Sequence, residues 1–144
     1  MLTKQFFLGG NATFTVQNDK TGEYRTYKIR RKEANERFPG YGPTYFVSLM
    51  TGPDNENSFT YIGLLNEQTG AVRLTGKSKL TEDSAAVRGV RWTLNKVWTN
   101  QPIPSFIQVR HEGKCGCCGR KLTTPASLDR GIGPECWSKL GGAA

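Results

Sequence analysis

The sequence predicts an α+β fold: an antiparallel β-sheet, as a meander or a partly open barrel, with one long helix and a small cysteine-bearing C-terminal module. Three observations predict it. Residues 12–75 hold several short segments of period-two alternation, two of which run into connectors of the same form, N-x-x-T-G. One stretch, 81–99, repeats its apolar residues at 3-4-3 spacing. All four cysteines fall between Cys115 and Cys136, with none in the first 114 residues.

The strands come first. ATFTVQ (12–17) sets Ala12, Phe14 and Val16 on one face, and EYRTYKIR (23–30) sets Tyr24 and Thr26 against Arg25, Tyr27 and Ile29. Asn18-Asp-Lys-Thr-Gly22 joins them. FTYIGLL (59–65) and AVRLT (71–75) form a second pair, joined by Asn66-Glu-Gln-Thr-Gly70. In each connector Asn opens a type I turn through its side chain, and Gly takes the left-handed position that returns the chain to the ladder. TYFVSLM (44–50) is more continuously apolar and reads as a central strand. It is flanked by two candidate contact loops, ERFPGYGP (36–43) and TGPDNENS (51–58).

The helix follows. Thr81 can cap it, and Glu82 and Asp83 suit the positive end of its dipole. Val87, Val90, Leu94 and Val97 form the stripe that packs on the sheet, with Trp98 beside it, while Gly89 weakens the helix. Arg88, Arg91 and Lys96 are expected towards the outer side. Asn100-Gln-Pro-Ile-Pro104 ends the helix. SFIQVRH (105–111) reads as a last strand delivering His111 to the cysteines, and the final GGAA (141–144) as a frayed tail. The expected division is therefore a sheet with its helix over 1–104 and a module over 105–140.

The module carries the chemistry. Cys115 and Cys118 form C-x-x-C followed by Gly119 and Arg120, the pattern of a zinc knuckle, in which two thiolates approach one metal from a tight turn. A closed structural zinc site takes four ligands. The assignment is His111, Cys115, Cys118 and Cys136, spaced H-x3-C-x2-C-x17-C. Cys117 is the alternative to His111, at the expense of two adjacent cysteines facing one ion. Thr124 and Pro125 can open one short helix that Gly131 closes, and Pro134 a second carrying Cys136, Trp137 and Leu140. Some 30 residues bury little core, so one structural Zn2+ would supply the missing stability.

Residues 111–136 resemble the C-terminal segment of a family of small, mostly uncharacterised phage and bacterial proteins. That segment reads H-x-G-x-C-x-x-C-G-R-x-L-T-x-P-x-S-x-x-x-G-I-G-P-x-C. It is matched at His111, Gly113, Cys115, Cys118, Gly119, Arg120, Leu122, Thr123, Pro125, Ser127, Gly131, Ile132, Gly133, Pro134 and Cys136. Arg91, Trp92, Leu94 and Pro102 resemble what precedes the segment in that family, and Cys117 is an extra cysteine. The resemblance implies a zinc-binding module in a phage-type accessory protein, with no settled activity attached. Residues 1–80 carry no resemblance.

Composition bounds the function. The 144 residues hold 20 Lys/Arg and 12 Asp/Glu, a net charge of +8, with 36% hydrophobic and 22% charged residues. That is apolar enough for a core and basic enough to favour polyanions. The excess is spread out: 14 Lys/Arg against 9 Asp/Glu in residues 1–100, and 6 against 3 in the remainder. No run approaches the ~18 apolar residues of a membrane span, and the N-terminus lacks a secretory signal. The expected location is the cytoplasm, that of a host if the protein is phage-encoded, with no membrane partner.

An enzyme is not expected. Four filled ligand positions leave no site for a catalytic water, and His111-Glu112 lacks the H-x-E spacing of a zinc deaminase. P-loop, G-x-S-x-G and paired-carboxylate patterns are absent from the sequence. The expected function is nucleic-acid binding, to DNA or RNA, through a basic surface. Arg120, Lys121 and Arg130 at the module and Arg30, Arg31 and Lys32 after a strand are the candidate contacts, with Tyr24, Tyr27, Tyr41 and Tyr45 as stacking platforms. The alternative is a protein-binding inhibitor or modulator that occludes a host enzyme, such as a defence nuclease, by covering an acidic or nucleic-acid-binding surface.

Overall fold

The computed structural model describes residues 2–33, 43–52 and 58–140. Five strands follow one another as an antiparallel meander: β1 (Asn11–Asn18), β2 (Tyr24–Lys32), β3 (Thr44–Met50), β4 (Phe59–Leu65) and β5 (Val72–Leu74). A sixth, β6 (Ile107–His111), pairs with β1 at the far edge, so the order is β5-β4-β3-β2-β1-β6 and the sheet is open. The α+β class with an open antiparallel sheet agrees with the alternation in the sequence. Most of the two flanking loops, residues 36–42 of one and 53–57 of the other, lies outside the described residues, as do Tyr41 and the 141–144 tail.

The two N-x-x-T-G connectors fold alike. Asn18 Oδ1 accepts from the Lys20 amide at 2.9 Å, and Asn66 Oδ1 from Gln68 at 2.9 Å and Thr69 at 3.2 Å. Gly22 and Gly70 take φ of 78° and 76°, a region costly for any side chain. The threonines have a role too: Thr21 and Thr69 accept through Oγ1 from the amides of Glu23 and Ala71. Gly70 is needed a second time, because a Cβ there would sit 2.6 Å from the Trp98 ring.

Pleating divides the sheet into two faces. Ala12 pairs with Ile29 and Phe14 with Tyr27, and Ile29 continues to Val47. Tyr45 pairs with Leu65, and Leu65 with Val72. All these side chains are buried and form the inward face. A bulge between Val47 and Ser48 lets β4 keep Ile62 buried while shifting its register.

The helix α2 (Ala85–Trp98) lies on that inward face, burying Ala86, Val87, Val90, Thr93, Leu94 and Trp98. It begins later than the sequence suggests. Thr81 hydrogen-bonds Asp83 through its side chain and Ser84 through its carbonyl, so residues 81–84 form a turn and Ser84 takes the cap position. Val87, Val90 and Leu94 are fully buried. At roughly 1.5–3 kcal/mol each they outweigh the ~1 kcal/mol that a helical glycine costs. Gly89 also has a use, since the Tyr27 hydroxyl would be only 3.2 Å from a Cβ there. That hydroxyl donates to the Ala86 carbonyl at 2.7 Å, tying the strand to the helix.

A second helix, α1 (Lys4–Phe7), has no periodic signal in the sequence. Phe6 and Phe7 within it are completely buried, and Phe7 meets Phe14 edge-on at 4.9 Å. The sheet extends through His111, so β6 belongs to it and the cysteine segment begins beyond that strand. Cys115, Leu122 and Ile132 join the same buried cluster as the sheet and helix.

Candidate metal centre and basic sheet face

The cysteine segment is built on a narrow hairpin. Lys114 and Lys121 bridge across it, and Cys115 donates to the Arg120 carbonyl at 2.8 Å. The tip, Cys115-Gly-Cys-Cys118, closes with the Gly119 amide on the Cys115 carbonyl at 2.9 Å, and Gly119 takes φ 77°. Then come two short helices, α3 (Pro125–Arg130) and α4 (Pro134–Lys139). Thr124 caps α3 by accepting from the Ser127 amide, and Gly131 ends it at φ 72°, as the residue types require. Pro134 opens α4 and brings Cys136 onto its first turn.

The sulfur atoms of Cys115, Cys118 and Cys136 all lie within 4.8 Å of one another. Burial alone would raise the Cys115 thiol, but amide N–H groups from Gly133, Cys118 and Cys117 point at its sulfur and bring it down to about 7. The same burial pushes Cys136 up to about 12, helped by its hydrogen bonds to Cys118 and Cys115. Three sulfurs gathered this closely form a soft donor set that could hold a metal ion. The group opens onto a cleft of about 270 Å³ lined by Arg120, Lys121 and Lys139, among others. All four cysteines are free thiols.

His111 stands apart from the three sulfurs. Its strand position opposite Phe14 turns the ring inward, where it lies 6.0 Å from the Phe6 ring. Its Nδ1 accepts from the Gly113 amide at 2.8 Å, and its Nε2 is bonded to the Leu128 carbonyl. Both ring nitrogens are thereby committed to backbone. Cys117 is the group that does approach: its half-buried thiol hydrogen-bonds those of Cys136 and Cys115, and burial with the Cys115 charge raises it to about 11. So the structure gathers three of the four expected ligands, adds Cys117 beside them, and leaves His111 as a brace between β6 and α3.

The expected basic contacts also separate. Arg130 stacks on Trp137 at 5.0 Å and donates to the Ile132 carbonyl. Arg120 faces Glu135 at 3.8 Å with both side chains largely exposed, an arrangement that contributes little. Lys121 is exposed. Arg31 shares its row with buried Tyr45 and pairs with Glu33 at 2.6 Å. Arg91, expected outward, reaches back to donate to the Val72 carbonyl at 2.8 and 3.0 Å while pairing with Glu82. Tyr27 and Tyr45 are core residues, 1% and 4% exposed, whereas Tyr24 is 67% exposed.

Arg30 and Lys32 lie on the outward face of the sheet, and there they have company that strand-by-strand reading missed. One row across the strands runs Asn11, Arg30, Phe46, Leu64, Arg73, and the next runs Thr13, Lys28, Ser48, Tyr61. Arg110 sits opposite Thr15 on the same face. Phe46 and Tyr61 approach at 6.2 Å between ring centres, and Lys28 lies 5.5 Å over the Phe59 ring. The paired outward positions thus hold five cations, Lys28, Arg30, Lys32, Arg73 and Arg110, and no Asp or Glu. Only the register reveals this, because the five residues come from three strands far apart in sequence.

Among the described residues, no helix is long and apolar enough to cross a membrane. No curated protein and no solved structure matches the chain. A model of a family of unknown function (DUF6011) matches residues 108–141, the stretch that spans the end of β6, all four cysteines, α3 and α4.

Proposed function

We propose that this chain binds nucleic acid, DNA or RNA, through the outward face of its sheet, and that a Zn2+ ion held by the cysteines fastens the C-terminal segment. The observation that carries the binding reading is the outward register: five cations, no carboxylate, and aromatic rings between the charges. A polyanion gains from every cation on such a face, and none of the paired outward positions opposes it with a carboxylate. An acidic protein surface would meet the same cations, but open aromatic rings beside them favour bases. For the metal, three thiols with the fourth cysteine alongside form a soft donor set suited to zinc, and a thiolate-rich shell stabilises a short segment rather than activating water. An accessory role of the phage type fits a small binding protein with no catalytic constellation among its described residues.

The test is titration of labelled oligonucleotides with the full chain at two salt concentrations. Three to five phosphate contacts give a log–log slope of about −0.7 to −0.9 per contact, so a fourfold rise in salt weakens binding roughly 20- to 500-fold. Absence of binding at micromolar protein in low salt overturns the reading. Pull-down of a single host protein resistant to nuclease would then favour an occluding inhibitor.

A further inference from the structure

We infer that the outward sheet face takes single-stranded nucleic acid, with bases stacked on Phe46 and Tyr61 between the charges of Arg30 and Arg73. The inference rests on the nucleic-acid reading and narrows its substrate class. Arg30, Phe46, Leu64 and Arg73 occupy one row over four adjacent strands. Three interstrand spacings separate the two guanidinium-bearing positions by about 14 Å. The two rings stand inside that span, one on β3 and one on β4, tilted 54° to each other and half-buried by their neighbours. The Tyr61 hydroxyl bonds Thr75, which holds its ring in place.

A ring in a sheet face can stack only on a base whose π-face is free. In a duplex those faces are covered by neighbouring pairs, and only groove edges and phosphates remain to be touched. Reading a duplex groove calls for a projecting helix or ribbon. Among the described residues, α1 and α2 both contact the opposite face of this sheet, through Phe14 and Tyr27. A pleated platform of rings and cations is therefore matched to a splayed single strand, with phosphates on the arginines and bases on the rings.

The experiment compares a single-stranded oligonucleotide of about 12 nucleotides, within the ~4–16-nucleotide site sizes of stacking sheets, with the duplex of the same sequence. The single strand should bind at least tenfold more tightly. Phe46→Leu and Tyr61→Leu keep apolar volume but remove the π-face, and each should weaken single-strand binding about 5- to 150-fold, as expected for one lost stacking contact, with the salt slope unchanged. Tyr61→Phe keeps the π-face and should bind single strands more tightly than Tyr61→Leu does. Equal affinity for both forms, or unaltered single-strand binding by the leucine variants, overturns the inference while leaving nucleic-acid binding intact. Failure to bind either form sinks the underlying reading instead. Should a leucine variant misfold, photo-crosslinking of a halogenated-pyrimidine strand to the native protein decides: adducts at Phe46, Phe59 or Tyr61 support the inference, and adducts confined elsewhere refute it.

Discussion

The His111 ring is bonded through Nε2 to the carbonyl oxygen of Leu128, which makes Nε2 the protonated nitrogen and leaves Nδ1 to accept from Gly113. A metal at either nitrogen would have to displace a backbone partner. His111→Ala should therefore keep one zinc per chain by elemental analysis. It should still lower stability by about 1–3 kcal/mol in denaturant unfolding, because Leu128 loses its partner. Cys136→Ser should leave the metal substoichiometric. Loss of zinc from His111→Ala would return the histidine to the ligand set.

Cys117 provides the complementary case. Its thiol hydrogen-bonds two of the three clustered cysteines, and its sulfur faces the turn after α1, where a Cβ on Gly9 would come within 3.0 Å of it. Replacement by Ser keeps the size but gives a poorer donor to a thiophilic ion. Cys117→Ser should bind zinc more weakly than the native chain, measured by competition with a chromogenic chelator. Unchanged retention would show a site closed by three cysteines and a ligand from outside the cluster.

Phe6 couples the cysteine segment to the sheet. Its ring would lie 2.8 Å from a Cβ on Gly116 and 2.6 Å from one on Gly131, so both glycines are spaces the ring fills. The Asn11 amide donates to the Gly116 carbonyl at 2.7 Å, which joins the same parts through backbone. Phe6→Ala should cost about 3–5 kcal/mol, the range for a fully buried aromatic. Amide exchange should accelerate most in residues 113–140. Gly131→Ala should destabilise as well, since it adds a left-handed alanine to the clash.

The Tyr27 hydroxyl and Gly89 make a separable pair. Alanine is worth about 1 kcal/mol over glycine in a helix, but the new Cβ would stand 3.2 Å from that hydroxyl. Tyr27→Phe removes the obstacle together with the bond to Ala86. In the Tyr27→Phe background, Gly89→Ala should recover its full ~1 kcal/mol, and in the native background less. Additive effects in the two backgrounds would show that the helix shifts freely over Tyr27.

What could be read from sequence was local. Period-two alternation, the Asn and Gly of the two connectors, the 3-4-3 stripe and the C-x-x-C each act within a few residues, and each is found where its chemistry puts it. What escaped was relational. Phe6 and Phe7 form barely one turn of helix, too short to show a period, yet they join the sheet to the cysteines. The backbone partners of His111 were not legible either, because spacing says nothing of Leu128 or of the Gly113 amide. Arg31 and Arg30 are neighbours in the chain but lie on opposite faces, because one residue of register reverses a side chain. The outward charge of the sheet is a property of the pairing and of no single strand.

That reversal yields a test of where phosphates bind. Arg30 and Arg73 are exposed at the two ends of one outward row, while Arg31, also exposed, belongs by register to the other face and is paired with Glu33. Arg130 is engaged by Trp137 and the Ile132 carbonyl. If the sheet face is the site, Arg30→Ala and Arg73→Ala should each make the log–log salt slope shallower by about 0.7–0.9, the worth of one phosphate contact. Both changes together should give about twice that, because the two positions lie well apart. Arg31→Ala should leave the slope alone, and Arg120→Ala with Lys121→Ala should do the same while zinc stays in place. The opposite pattern, a slope set by Arg120 and Lys121 and indifferent to Arg30 and Arg73, would move the nucleic acid from the sheet to the rim of the cysteine cleft.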